Sequence, residues 1–235
     1  MIPWLEPGSP FPPIERALRE PDGLLAASLD LSPARILDAY RHGIFPWYSE
    51  GQPVLWWSPD PRMVLVPDEV RVTRSMAKVL RNRPYEIRCD TAFEAVMRAC
   101  AAPRDGAAGT WISEEMIAAY CALHAQGHAH SVETWIDGRL AGGLYGMAIG
   151  RMFYGESMFS LERDASKIAL VHLARYLASL NFALIDCQMN TPHLASMGAR
   201  EIARSDFCRT LAECAADGPL PERWRADRIP HFFRN

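Results

Sequence analysis

Two strand-like runs carry acids where an apolar core is expected. Ala183 to Met189, "ALIDCQM", is apolar except for Asp186, Cys187 and Gln188, and "RMFYGESMFS" sets Glu156 among apolar neighbours. An unpaired charge out of water costs several kcal/mol, so each acid needs a reason. Side chains alternate along a strand. Leu184, Asp186 and Gln188 therefore share one face, opposite Ile185, Cys187 and Met189, while Met152, Tyr154, Glu156 and Met158 share a face of the other run. Two readings follow. Either each acid is neutralised by a core Arg or Lys, or the acids converge on one cleft as proton acceptors with raised pKa values. Gly155 beside Glu156 permits close approach of backbone or ligand.

Other chemistries find less support. Cys187 points away from the Asp186–Gln188 pair. No G-x-S-x-G turn, phosphate-binding loop or G-x-G-x-x-G is present. His124, His128 and His130 fall within seven residues, but Gly127 interrupts helical spacing and no carboxylate lies at ligand spacing, so no metal is expected. His193 opens a short helix and reads as a local cap. The six cysteines form no C-x-x-C pair, which fits a reduced cytoplasmic protein without disulfides. A net charge of −3 excludes a strongly basic nucleic-acid coat but leaves room for a local patch. If a helix starts near Thr73, Arg74, Lys78 and Arg81 share one face, either as a solvated surface or as a phosphate-tracking stripe.

These residues need elements to position them. Twelve of the 18 prolines precede residue 70, which marks a small, turn-rich, Trp-bearing N-terminal domain over residues 1–62 and a larger domain over 63–235. Within the first, "LSPARILDAYRHGIFPW" reads as a helix capped by Ser32, entered at Pro33 and left at Gly43, with Ile36, Leu37 and Tyr40 apolar. The second begins with a short strand, "MVLVP", then the basic helix and two further helices around a Gly/Ala-rich loop bearing Trp111. Asp137-Gly138 and Gly150 mark turns between three antiparallel strands. A helix follows with Asp164 as N-cap, a leucine stripe (170, 173, 177, 180) and His172, Arg175 and Ser179 on its far side. The Asp186 strand, a short helix, a strand and a last helix complete the chain. No signal peptide or membrane span is evident.

Hairpins, helix, strand, helix and strand in this order predict an α/β mixed sheet flanked by helices, and the layout resembles the GNAT acyltransferase fold. The expected CoA-binding R/Q-x-x-G-x-G/A is replaced by glycine-free "SLERDASKIA", which points to an acyl donor other than CoA. A CoA-dependent N-acyltransferase and a non-catalytic tRNA- or peptide-binding module stand as alternatives.

The motifs "YRHGIFPWYSEGQPVLWWSPDPR", "HAHSVETW", "GGLYG", "FYGESMFS", "DASKIAL", "LIDCQM" and "HLASMGAREI" resemble the leucyl/phenylalanyl-tRNA–protein transferase family, from about Asp22 to Phe207. The resemblance implies transfer of Leu or Phe (Met less well) from aminoacyl-tRNA to proteins with N-terminal Arg or Lys, creating an N-degron for proteolysis. It implies no cofactor, a cytoplasmic monomer and no membrane partner. Gln188 would orient the α-amino group, Asp186 would stand behind it as proton sink, and Glu156 would meet the amine or the basic side chain. Met158, Leu144, Leu170 and Ile185 are candidates for the aminoacyl pocket. Trp47, Trp111 and Tyr120 would lie near the terminal adenosine, and Arg74, Lys78 and Arg81 would touch tRNA phosphates. The family's usual G-G-D-L-S-P reads "SLDLSP" here, so a positive-φ turn would strain Leu29.

Overall fold

The computed structural model describes residues 2–103, 111–214 and Trp224. A four-stranded sheet opens the chain: β1 (Trp4–Leu5), β2 (Leu24–Ser28), β3 (Phe45–Pro46) and β4 (Val54–Trp57), in the order β1-β2-β4-β3. Helix α1 (Pro33–Arg41) lies within it. The Ser32 hydroxyl accepts from the Arg35 amide, Pro33 occupies the first turn, and Gly43 leaves with φ +73°. Ile36, Leu37 and Tyr40 are buried as the periodicity predicts.

The larger sheet has seven strands: β5 (Arg62–Leu65), β6 (Glu86–Cys89), β7 (Ala129–Ile136), β8 (Arg139–Ile149), β9 (Met152–Ser160), β10 (Leu184–Gln188) and β11 (Arg200–Ile202). Their order is β11-β5-β10-β9-β8-β7-β6. Neighbours β7, β8 and β9 run antiparallel, whereas β9 and β10 are parallel. The crossover between that parallel pair is α5 (Ala165–Ser179). Helices α2 (Arg74–Asn82), α3 (Phe93–Ala101), α4 (Glu114–Ala125), α6 (Pro192–Ser196) and α7 (Arg204–Cys214) complete the order. The mixed α/β sheet predicted from the sequence is the one observed.

Two core clusters lie on opposite faces of this sheet. One joins the small sheet and α1 to α3, α4 and the Tyr145, Met147, Met152 and Tyr154 side chains. The other packs α5 against Leu144, Phe153 and Ile185. The β7–β8 hairpin turns at Asp137 and Gly138, both with positive φ (50° and 71°), as a two-residue type I′ connection requires.

Local expectations fail at four places. Asp164 precedes α5 in a left-handed conformation, and its carboxylate meets Lys167 at 3.3 Å instead of capping amides. His172, on the side of α5 away from the leucine stripe, is buried all the same, because Tyr85 covers it and its Nε2 lies 3.0 Å from the Tyr85 hydroxyl. Thr191, not His193, caps α6, its hydroxyl accepting from the Leu194 amide. Leu29 has no positive φ. Ser28 is instead buried, and its hydroxyl accepts from Trp56 Nε1 at 2.9 Å.

Candidate active site

The parallel pairing of β9 and β10 is short. Leu184, Ile185 and Asp186 face Met152, Phe153 and Tyr154, and the ladder ends there. The residues just beyond it, Gly155, Ser157, Met158, Cys187 and Gln188, are half-buried, whereas the paired residues of both strands are buried. The strands part at this point, and the sequence's polar residues sit where they part.

Glu156 is placed by a bulge. Tyr145 pairs with Ser157 and Gly146 with Gly155, which leaves Glu156 as the extra residue of β9. A glycine is required opposite: a Cβ on residue 146 would stand 2.2 Å from the Tyr154 carbonyl oxygen. The bulge also corrects the alternation. Beyond Glu156 the strand changes face, so Met158 packs on the α5 side with Phe153 and not with Tyr154.

The Glu156 carboxylate is buried and ringed by donors. Oε1 accepts from the Tyr40 hydroxyl at 2.5 Å and from Gln188 Nε2 at 3.1 Å, and Oε2 accepts from the Tyr120 hydroxyl at 3.3 Å. The two tyrosine oxygens are themselves 2.6 Å apart. No Lys or Arg pairs with Glu156 among the described residues. Burial pushes its carboxyl pKa up to about 7, with the Asp186 charge adding in the same direction, against the lowering by the Tyr40, Tyr120 and Gln188 hydrogen bonds. Burial and the Glu156 charge raise the Tyr40 and Tyr120 hydroxyls well above the ordinary phenol range, so both remain donors.

Asp186 has the other fate. Arg62 Nε donates to Oδ1 at 2.9 Å and Nη2 to Oδ2 at 2.6 Å, with both side chains fully buried. Burial alone would lower the Arg62 pKa; Asp186 more than offsets this and raises it. The guanidinium also donates to the Gly43 carbonyl at 3.2 Å and lies between the Phe45 and Phe207 rings, 4.8 and 4.7 Å from their centroids. Asp186 is therefore neutralised by a core Arg. Oδ1 further accepts the Gln188 amide at 2.9 Å, and Gln188 adopts φ +63° at an irregularity in the β10–β5 register. Simple alternation does not extend past Asp186. Gln188 reaches Glu156 because the chain kinks, and Asp186 holds the kink.

Arg62 and the role of Tyr40 were missed in the sequence. Tyr40 read as one more apolar residue of α1. The signal for Arg62 was a lone Arg opening an apolar strand, a place a cation occupies only with a buried partner. Leu144, Leu170 and Ile185 are buried together on the α5 side with half-buried Met158 among them. Trp47 is 37% exposed and meets Trp57 edge-on at 5.5 Å; Trp111 is half-buried against the core. Tyr120 is corrected: at 0% exposure it has no ring face for a base, and its hydroxyl belongs to Glu156. Arg74, Lys78 and Arg81 are exposed on α2. His124 and His130 both turn to Asp90, at 3.9 and 2.9 Å, and among the described residues no cluster of three or more His, Cys, Asp or Glu could hold a metal. Among the same residues no helix is long and apolar enough to cross a membrane.

A mixed sheet whose parallel strands part beside a buried carboxylate, with a helix crossing between them, makes this an α/β protein with a candidate acid–base site at the parting. Residues 64–212 match the family described as leucyl/phenylalanyl-tRNA protein transferase, and residues 29–60 match its N-terminal domain. Proteins named leucyl/phenylalanyl-tRNA–protein transferase are 60% identical in Azoarcus sp. (100% of both chains) and 64% in Chromobacterium violaceum (95% of both). A third, from Thiobacillus denitrificans, is 66% identical over 92% of this chain and 95% of its own. Among solved structures, a GCN5-related N-acetyltransferase from Kribbella flavida aligns over 84% of this chain and 76% of its own with 14% identity and a TM-score of 0.38, too loosely to carry any feature of the site across. The chain belongs to the leucyl/phenylalanyl-tRNA–protein transferase family and is a transferase enzyme.

Proposed function

We propose that this protein moves Leu or Phe, and Met less readily, from aminoacyl-tRNA to the α-amino group of proteins that begin with Arg or Lys, with Glu156 receiving the amine's proton. The observation that carries this reading is a buried carboxylate, hydrogen-bonded by Tyr40, Tyr120 and Gln188 and unpaired with any Lys or Arg among the described residues, where two strands part; burial pushes its pKa up to about 7. An aminoacyl ester reacting to an amide runs downhill and needs no ATP. What it needs is a neutral, aimed amine.

The acceptor arrives as an ammonium. A base with a pKa near the operating pH suits its deprotonation. Glu156 takes one proton, and the free amine attacks the ester carbonyl carbon. The new C–N bond forms, the C–O bond to the terminal ribose breaks, the amine's second proton passes to the leaving ribose oxygen, and Glu156 returns its proton to solvent. Gln188, anchored on Glu156 through Nε2, keeps its side-chain carbonyl to accept from the amine. Asp186 is a positioning residue: with its charge spent on Arg62, it holds the backbone of Gln188. The half-buried Met158, with Leu144, Leu170 and Ile185 behind it, supports a pocket on the α5 side for Leu or Phe. The exposed face of Trp47 and half-buried Trp111 suit stacking with the terminal adenosine. Arg74, Lys78 and Arg81 suit phosphate contacts, which give affinity without reading sequence.

Residues 1–62 would then supply Tyr40 to Glu156 and Arg62 to Asp186, both acids carried by residues 63–235. The product carries an N-degron. An aminoacyl-tRNA donor supports a cytoplasmic location. Incubation with labelled Leu-tRNA and an Arg-initiated peptide tests the reading. Label on the peptide, abolished by prior RNase, is expected; label that survives RNase, or none, overturns it.

A further inference from the structure

One acid near the cleft is not used by this chemistry. Glu201 lies on β11, the edge strand of the large sheet, and is exposed. Its register is informative. Glu201 pairs with Met63 of β5, and Met63 pairs on its other side with Gln188 of β10. Gln188 and Glu201 thus stand level across one intervening strand, about 10 Å apart at the backbone given the usual strand spacing. Asn190, two residues beyond Gln188, donates from Nδ2 to Glu201 Oε1 at 3.0 Å and turns the carboxylate toward the end of β10.

Two nearby arginines could have neutralised Glu201, and neither does. Arg200 pairs with Glu69, and Arg204 donates to the Ser58 carbonyl at 2.5 Å. Among the described residues Glu201 has no cationic partner. It keeps Oε2 and part of Oε1 free for a donor from outside the chain. A cation held there while an amine lies at Gln188 and Glu156 must belong to a molecule with two positive groups a side chain's length apart. An N-terminal Arg or Lys has that form.

We propose that Glu201, aimed by Asn190, binds the cationic side chain of the acceptor's first residue while its α-amino group lies at Glu156 and Gln188. The proposal rests on the reading that acceptors begin with Arg or Lys, and it assigns that selectivity to the β11 edge. An exposed carboxylate suits this role because it discriminates by charge and leaves the reacting atoms untouched.

The test compares peptides beginning with Arg and with citrulline, the neutral isostere of Arg, in wild-type protein and in Glu201→Gln. Wild type is expected to favour Arg through KM. Glu201→Gln should raise KM for the Arg peptide about five- to tenfold, which corresponds to about 1–1.4 kcal/mol, with kcat unchanged and the citrulline peptide unaffected. Asn190→Ala should move KM in the same direction by less, and Glu201→Asp should restore part of the preference. An unchanged Arg-to-citrulline ratio in Glu201→Gln, in an enzyme that does discriminate, overturns the assignment to Glu201 alone. A wild type that does not distinguish the two peptides overturns the acceptor reading beneath it.

Discussion

Replacing Asp186 by Ala should destabilise the protein heavily, and for a reason unrelated to catalysis. Arg62 and Asp186 have no exposed surface and share two hydrogen bonds of 2.9 and 2.6 Å. Without Asp186 the guanidinium keeps one carbonyl, that of Gly43 at 3.2 Å, and two aromatic faces. Those contacts do not neutralise a buried charge. Breaking such a pair costs about 3–5 kcal/mol, and the Gln188 amide loses its acceptor as well. With a urea dependence of about 1–3 kcal/mol/M, the unfolding midpoint should fall by more than about 1 M. The control removes both charges. Arg62→Met with Asp186→Leu leaves no stranded ion, so it should recover most of the loss while transfer stays slow, because Gln188 is no longer held. Urea unfolding of the two single variants and the double variant, with transfer kinetics on each, separates the two roles. A loss below about 1 kcal/mol in Asp186→Ala, or a double variant as unstable as the singles, would refute the structural reading of the pair.

Two further outcomes follow from the charges. Glu156 has its folded pKa raised from 4.5 to about 7, so the folded state favours the protonated form. The stability this lends is complete below pH 4.5 and is lost as pH rises through about 7, a total of about 3 kcal/mol. Glu156→Gln should abolish that part of the decline; a wild-type melting curve with the same slope between pH 4.5 and 7.5 as the variant would count against it. Arg74→Ala with Lys78→Ala should weaken tRNA binding and reduce the slope of log K against log salt by about 2, and an unchanged slope would leave α2 as a solvated face.

Much of the frame was legible because local signals agreed with one another. Ser32, Pro33 and Gly43 bound α1 as predicted, Asp137-Gly138 turned the hairpin, and Thr73 capped the basic helix through the Met76 amide. The alternation rule joined polar residues that the structure does bring together, for a partly wrong reason. It assumes uninterrupted strands, and both strands are interrupted at the site: β9 bulges at Glu156 and β10 kinks at Gln188. Bulges answer to a partner strand, here to Gly146, and a single run of residues does not display that. The neutralisation of Asp186 was likewise hidden, since Arg62 lies 124 residues away. Tyr120 illustrates the limit of residue type. An aromatic ring suits a stacking platform or a buried donor equally well, and only burial decides between them.

The central claim is that Glu156, rather than Asp186, accepts the proton of the incoming amine. Single-turnover transfer from Leu-tRNA to an Arg-initiated peptide, followed across pH 5.5–8.5 in wild type and Glu156→Gln, tests it most directly. The wild-type rate should climb with an apparent pKa near 7, and the variant should be about 100-fold slower or worse, bind aminoacyl-tRNA normally and lack that inflection. A Glu156→Gln enzyme with near wild-type rate and the same inflection would contradict it.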